Sequence, residues 1–137
     1  MPCEYQIDGE RRLVKVRAWG VFTHSEVMET RAKFTADPSF CRDFFQLYDM
    51  REVTDVPTSS DSVRELAIDH VFGPGSRRAV VATHPVAYGY SRMFATYREI
   101  NGGKEEIRVF HTIGEAEGWL GVGPLVARQH HASDAMG

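Results

Sequence analysis

Phe44-Phe45-Gln46-Leu47-Tyr48-Asp49-Met50-Arg51-Glu52-Val53-Thr54-Asp55-Val56-Pro57-Thr58-Ser59-Ser60-Asp61-Ser62-Val63 is the stretch whose reading decides the fold. Phe44, Phe45, Leu47 and Tyr48 form a short, mostly apolar run broken once by Gln46. Such a run suits a strand covered on both faces, as in a parallel sheet. Asp49 and Arg51 follow where that strand is expected to end, so they are read as opening a loop at its carboxyl end. Pro57 stops regular pairing. Thr58, Ser59, Ser60 and Asp61 then offer several N-caps for a helix with Val63, Leu66, Ala67, His70 and Val71 on one face.

Outward toward the N-terminus, Asp8-Gly9 predicts a hairpin turn between arms at Glu4–Ile7 and Arg11–Trp19. Thr23-His24-Ser25-Glu26 is a capping box, which predicts a helix from Ser25 to Ala36 ending at Asp37-Pro38. Outward toward the C-terminus, Gly73-Pro74-Gly75 breaks the second helix and Arg77–Thr83 reads as a buried strand. Pro85 suits the first turn of a helix running to Ile100, with an apolar stripe of Val86, Tyr90, Met93, Phe94, Tyr97 and Ile100. Glu105–Phe110 is the last strand and Ile113–Leu120 a short closing helix. Residues 1–120 form one domain on this reading, and 121–137 a weakly structured tail. After the hairpin the order is strand then helix, four times. Crossovers between parallel strands are right-handed in nearly every case. The expected fold is therefore α/β: a mixed five-stranded sheet, an N-terminal antiparallel hairpin strand and then four parallel strands, with helices mainly on one face.

Composition removes several classes of function. A chain of 137 residues suits one core. The formal net charge of −3 with no basic block argues against a sequence-independent grip on nucleic acid. No apolar run approaches the ~20 residues of a membrane span, and the N-terminus shows no secretion signal. The two cysteines, Cys3 and Cys41, fit no metal spacing and read as reduced thiols of a cytoplasmic protein. No cofactor loop and no nucleophile–base pair is present, so the chain is read as non-enzymatic with no cofactor.

Parallel strands deliver their following loops to one rim, where open α/β sheets usually act on ligands. Here that rim collects His24, Asp49, Arg51, Thr58, Ser59, Ser60, His84 and His111. Imidazoles and carboxylates suit a metal or an acid–base centre, but no HxxxH or HExxH spacing supports either, and no metal is assigned. Strand ends also gather polar residues simply because they are exposed. The hydroxyl cluster has two readings, as plain N-caps or as a position where phosphate is favoured by free N–H groups and the helix dipole. Phosphorylating Thr58, Ser59 or Ser60 adds ~2 negative charges near Asp55 and Asp61, which opposes a docked partner. His70 is read as a histidine at the core's edge with a hydrogen-bond partner.

The succession of a hairpin, a capped helix, then Leu47-Tyr48-Asp49-Met50-Arg51-Glu52-Val53-Thr54-Asp55-Val56 leading to Pro57-Thr58-Ser59-Ser60 resembles STAS-like domains, the family of anti-sigma-factor antagonists. Arg77-Arg78-Ala79-Val80-Val81, Tyr88-Gly89-Tyr90-Ser91-Arg92-Met93-Phe94 and the stretch from Val109 to Leu120 resemble a branch of small bacterial proteins grouped with that fold. The resemblance covers about Tyr5 to Leu120. It implies a regulatory module with a phosphosite in an Asp-Ser-(Ser or Ala)-Gly run. On this chain Asp49 matches the aspartate at the strand end, Pro57 replaces the second aspartate, Thr58 takes the phosphosite and Ser60 replaces the glycine.

Two functions are carried forward. The first is a partner-binding module using Asp49, Arg51, Asp55, Thr58, Ser59 and Ser60, with an unidentified protein partner and a homodimer left open. The alternative is a binder of a small molecule, a nucleotide or apolar metabolite, using His84, Tyr88, Arg92 and His111.

Overall fold

A computed structural model describes residues 2–68 and 70–122. The elements in order are β1 (Cys3–Asp8), β2 (Leu13–Val21), α1 (His24–Ala36), β3 (Phe45–Asp55), α2 (Ser60–Leu66), β4 (Arg77–Val81), α3 (Pro85–Ile100), β5 (Glu106–Phe110) and α4 (Ile113–Leu120). The five strands lie side by side in sequence order. β1 pairs antiparallel to β2, and every later pairing is parallel. The mixed sheet expected from the sequence is the one observed. The tail from residue 123 lies outside the described residues. No helix among the described residues is long and apolar enough to cross a membrane.

Each strand is added on the same side of the sheet, so right-handed crossovers place α1, α2 and α3 on one face. Their core includes Val14, Val16, Met50, Val53, Val80, Val27, Phe34, Leu66 and Ala87. α4 follows the last strand and crosses back to none, so no handedness binds it. It covers the opposite face, with Ala116 and Leu120 against Leu13, Leu47, Ala79 and Val81. Val122 packs into the same cluster.

The capping box forms as the sequence indicates: the Glu26 backbone N–H donates to Thr23 Oγ1 at 3.3 Å, and the Thr23 N–H donates to Glu26 Oε1 at 2.9 Å. Four local expectations are corrected. The hairpin loop spans residues 9–12, and the residue with positive φ is Arg12 (φ 57°), not Gly9. β3 runs to Asp55, because beyond Asp49 it loses β4 but keeps pairing with β2 through two register shifts. With one edge open to solvent its residues turn polar, which reads as a loop. α2 ends at Leu66 rather than Val71, and His70 is exposed outside it. α3 buries Ala87, Ser91 and Arg98, while Val86, Met93 and Ile100 of the expected stripe are exposed. Small residues let α3 approach the sheet, and a stripe counted by apolarity alone misses them.

The reason α2 stops lies in two arginines. Arg31 Nη1 donates to the Leu66 carbonyl at 3.1 Å and Arg98 Nη1 to the Ala67 carbonyl at 2.9 Å. Carbonyls left open by a helix end need such partners. Arg98 is almost wholly buried, and it also donates to Glu105 through Nε (3.0 Å) and Nη2 (2.7 Å). Arg78 Nη1 donates to the same carboxylate at 2.9 Å. Gly103 is required here, since a Cβ would fall 2.9 Å from the Arg98 carbonyl oxygen and 2.7 Å from its guanidinium.

Burial disfavours the charged form of Glu105, but hydrogen bonds from Arg98 and a backbone N–H, with the charge of Arg78, outweigh it and hold the carboxyl below its usual range. Burial lowers Arg78 to about 10 despite Glu105. The two partners shift differently because one carboxylate serves two cations. A depressed acid contributes stability fully present above its unfolded value, near 4.5, and lost as pH falls through the folded value. Glu105→Gln is therefore expected to destabilise by about 3–5 kcal/mol at neutral pH, as loss of a buried counter-ion does. It also removes part of the acid-induced loss of stability below pH 4.5. Urea unfolding from pH 3 to 7 checks both.

Candidate functional site

The carboxyl rim forms, but its residues separate into three groups. Asp49 lies within β3 and turns to the α4 side of the sheet. It receives Arg51 Nε at 2.9 Å and Nη2 at 2.8 Å, and the Arg51 backbone N–H at 3.1 Å. The pair lines a groove of about 320 Å³ with Lys15, Arg17, Ile113 and Glu117. Burial raises the Asp49 carboxyl, but the Arg51 bonds dominate and hold it below the usual carboxylate range.

The second group is the loop that leaves β3. Asp55 is exposed, and its carbonyl accepts the Phe22 N–H at 2.9 Å. Thr58, Ser59 and Ser60 are exposed. Ser59 caps α2: its Oγ accepts the Ser62 N–H at 3.1 Å and donates to Ser62 Oγ at 3.2 Å. The hydroxyls of Thr58 and Ser60 make no hydrogen bond among the described residues.

The third group sits past β4 and β5. Tyr88 and His111 stack with centroids 4.4 Å apart and planes within 7°. The Arg92 guanidinium lies 5.9 Å from the Tyr88 ring. His84 caps α3, its Nδ1 accepting the Val86 N–H at 3.3 Å. Of the four alternative ligand residues the structure thus brings three together, while His84 is committed to the helix. His24 is the first residue of α1. Among the described residues no group of three His, Cys, Asp or Glu could hold a metal ion.

The sequence reading missed a fourth feature, on the helix-covered face. Gln46 and Arg78 are register partners on β3 and β4, and Arg78 Nε donates to Gln46 Oε1 at 3.0 Å. The Arg78 guanidinium also lies 4.7 Å from the Phe72 ring and 5.3 Å from that of Phe94. Both side chains border a cavity beneath α1 and α3. The available signal was a polar residue inside each of two buried apolar runs. A residue so placed needs a partner across the strands.

No known protein family's profile and no curated protein matches the sequence. Among solved structures, the chain is similar to an uncharacterized protein of the DUF3478 family with a SpoIIAA-like fold from Shewanella loihica PV-4. That likeness has a TM-score of 0.57 at 16% identity and covers 86% of this chain and 93% of the other. The fold is thus SpoIIAA-like, that is STAS-like: the α/β module anticipated from the sequence.

If Arg51 is what depresses Asp49, Arg51→Met raises the Asp49 carboxyl toward the ordinary range. A carbon-detected NMR titration of the two proteins reads this directly, and coincident Asp49 curves would show another cause.

Proposed function

We propose that this chain is a non-catalytic regulatory module of STAS-like type, which docks a protein partner on the loop of residues 56–61 and on α2. One observation carries the reading. Where β3 ends, Pro57, Thr58, Ser59 and Ser60 all stand exposed at the carboxyl rim, and two of the three hydroxyls are uncommitted. Exposed connections on a rigid sheet are where binding residues concentrate. The likeness to a SpoIIAA-like fold supports the module class. A cytoplasmic location belongs to the proposal, supported by the two free cysteines.

The hydroxyls divide the labour. Ser59 holds the helix start, whereas Thr58 and Ser60 are free for a partner or a phosphoryl group. A phosphate on Thr58 adds charge beside Asp55 and Asp61 and repels an acidic docking surface. The alternative site at His84, Tyr88, Arg92 and His111 is less supported, because Tyr88 and His111 spend their facing surfaces on each other and His84 caps α3.

Ser59→Ala is expected to cost about 1 kcal/mol, as loss of an N-cap does. Thr58→Ala should stay within about 0.5 kcal/mol, as surface changes do. Thermal unfolding separates them. For the docking itself, a photo-reactive residue placed at Thr58 should trap a specific protein in cells, and the same residue at Glu10 on the hairpin should not. A trapped second copy of the chain identifies the partner as itself. Equal labelling from both positions contradicts the assignment.

A further inference from the structure

The sheet ends on β1 and β5, since the strands lie in sequence order. An edge strand carries a row of backbone donors and acceptors that the sheet does not use, and it pairs readily with another chain. On β5 the Glu106 N–H donates to the Ser76 carbonyl at 3.0 Å, and the Phe110 carbonyl accepts the Ala82 N–H at 3.0 Å. Glu106, Arg108 and Phe110 therefore turn their backbone groups toward β4. By the alternation of the strand, Ile107 and Val109 turn theirs outward. The exposed side chains of Glu106 and Arg108 lie on the face that α4 covers, beside Arg77 and Trp119 respectively. Those of Ile107 and Val109 lie on the face covered by α1 and α3.

Two copies of one strand pair antiparallel about a twofold axis, which must fall on a residue if side chains are to keep their faces. An axis on Glu106 or on Arg108 sets that residue against itself, charge against like charge. An axis on Val109 sets Arg108 against Phe110. An axis on Ile107 sets Glu106 of each copy opposite Arg108 of the other. Ile107 is also a residue whose N–H and C=O point outward, so the paired Ile107 residues can exchange both hydrogen bonds. Backbone phase and charge thus select the same axis independently. The flanking Glu106–Arg108 pairs then occupy the positions where facing side chains come closest.

Both charged groups are available for such a pairing. Arg108 has no acidic partner among the described residues and only lies 5.3 Å from the Trp119 ring. Glu106 reaches Arg77 at 3.6 Å, and its side chain stays 60% exposed. α3 repeats the pattern along the same edge. Ala95 and Glu99 line a groove with Ile107 and Arg108, and the exposed Arg92 stands about one turn before Ala95. An antiparallel copy brings Arg92 toward Glu99. β1 offers nothing comparable, because its charged residues, Glu4 and Asp8, are both acidic.

We propose that β5 is a self-docking edge: a second copy of this chain pairs antiparallel to it about Ile107 and joins the two sheets into one. The surface is separate from the loop of residues 56–61, so the two assignments are tested apart.

The test is sedimentation velocity of the full chain and of charge-reversed variants. The unaltered chain is expected to dimerise by about 0.1 mM, a concentration that fills an interface of ordinary affinity. Glu106→Arg and Arg108→Glu, each alone, place like charges at both cross-strand positions and should weaken the dimer by about ten-fold or more. Mixed in equal amounts, the two variants restore opposite charges at both positions and should associate as the unaltered chain does. A chain that stays monomeric at that concentration overturns the proposal. So does a dimer indifferent to both reversals, which places the contact elsewhere, and so does a mixture that fails to associate. Should either variant fail to fold, amide exchange of the unaltered chain decides alone. The Ile107 and Val109 amides should slow as protein concentration rises, and rates independent of concentration overturn the assignment.

Discussion

Two guanidinium groups on one buried carboxylate are the constraint around which the molecule is arranged. Arg78 comes from β4, Arg98 from α3 and Glu105 from the residue before β5. An unpaired charge in the interior is far more costly than a paired one, so all three must arrive together. The turn after α3 has to bring Glu105 back over Arg98, and only glycine at position 103 permits that approach. Packing of α3 on the sheet follows from the same demand, with Ala87 and Ser91 keeping the helix close.

From this anchor the arrangement reaches the surface. Arg98 extends past Glu105 to the Ala67 carbonyl and thereby ends α2. With its carboxyl end held by Arg98 and Arg31, α2 presents its amino end, capped by Ser59, to solvent. The proposed docking loop is therefore short and stands on a fixed helix at one side and on β3 at the other. On the inner side, Arg78 spends its Nε on Gln46 and so fixes that amide's orientation between β3 and β4. One buried ionic cluster thus bears on both the proposed docking loop and the helix-covered face of the sheet.

What the sequence disclosed followed the range of the interactions involved. The Thr23–Glu26 box, the Pro85 start and the strand–helix alternation depend on neighbours in the chain, and each of these elements stands where it was expected. The length of β3, the end of α2 and the inner face of α3 depend on partners far along the chain. β3 continues because β2 continues beside it, and α2 stops because Arg98, about thirty residues on, takes its carbonyl. Arg98 in particular reads as a surface residue of an amphipathic helix, since a lone arginine carries no sign of the glutamate it will meet. Among the candidate residues, Thr58, Ser59 and Ser60 lie exposed past the end of β3, a position that follows from topology alone. Gln46 was visible as a break in its apolar run, but its pairing with Arg78 was not, because the register of β3 against β4 depends on contacts far along the chain.

The measurement that bears most directly on the central claim is the NMR signature of the arginine side chains at neutral pH. Buried, doubly bonded guanidiniums should show Nε–H protons protected from exchange with water and slowed rotation about the terminal bonds. Arg78 and Arg98 are expected to show both, and to lose them when Glu105 is changed to Gln. If their Nε–H signals exchange as fast as those of Arg64 on the surface, the cluster does not hold the fold and the account fails.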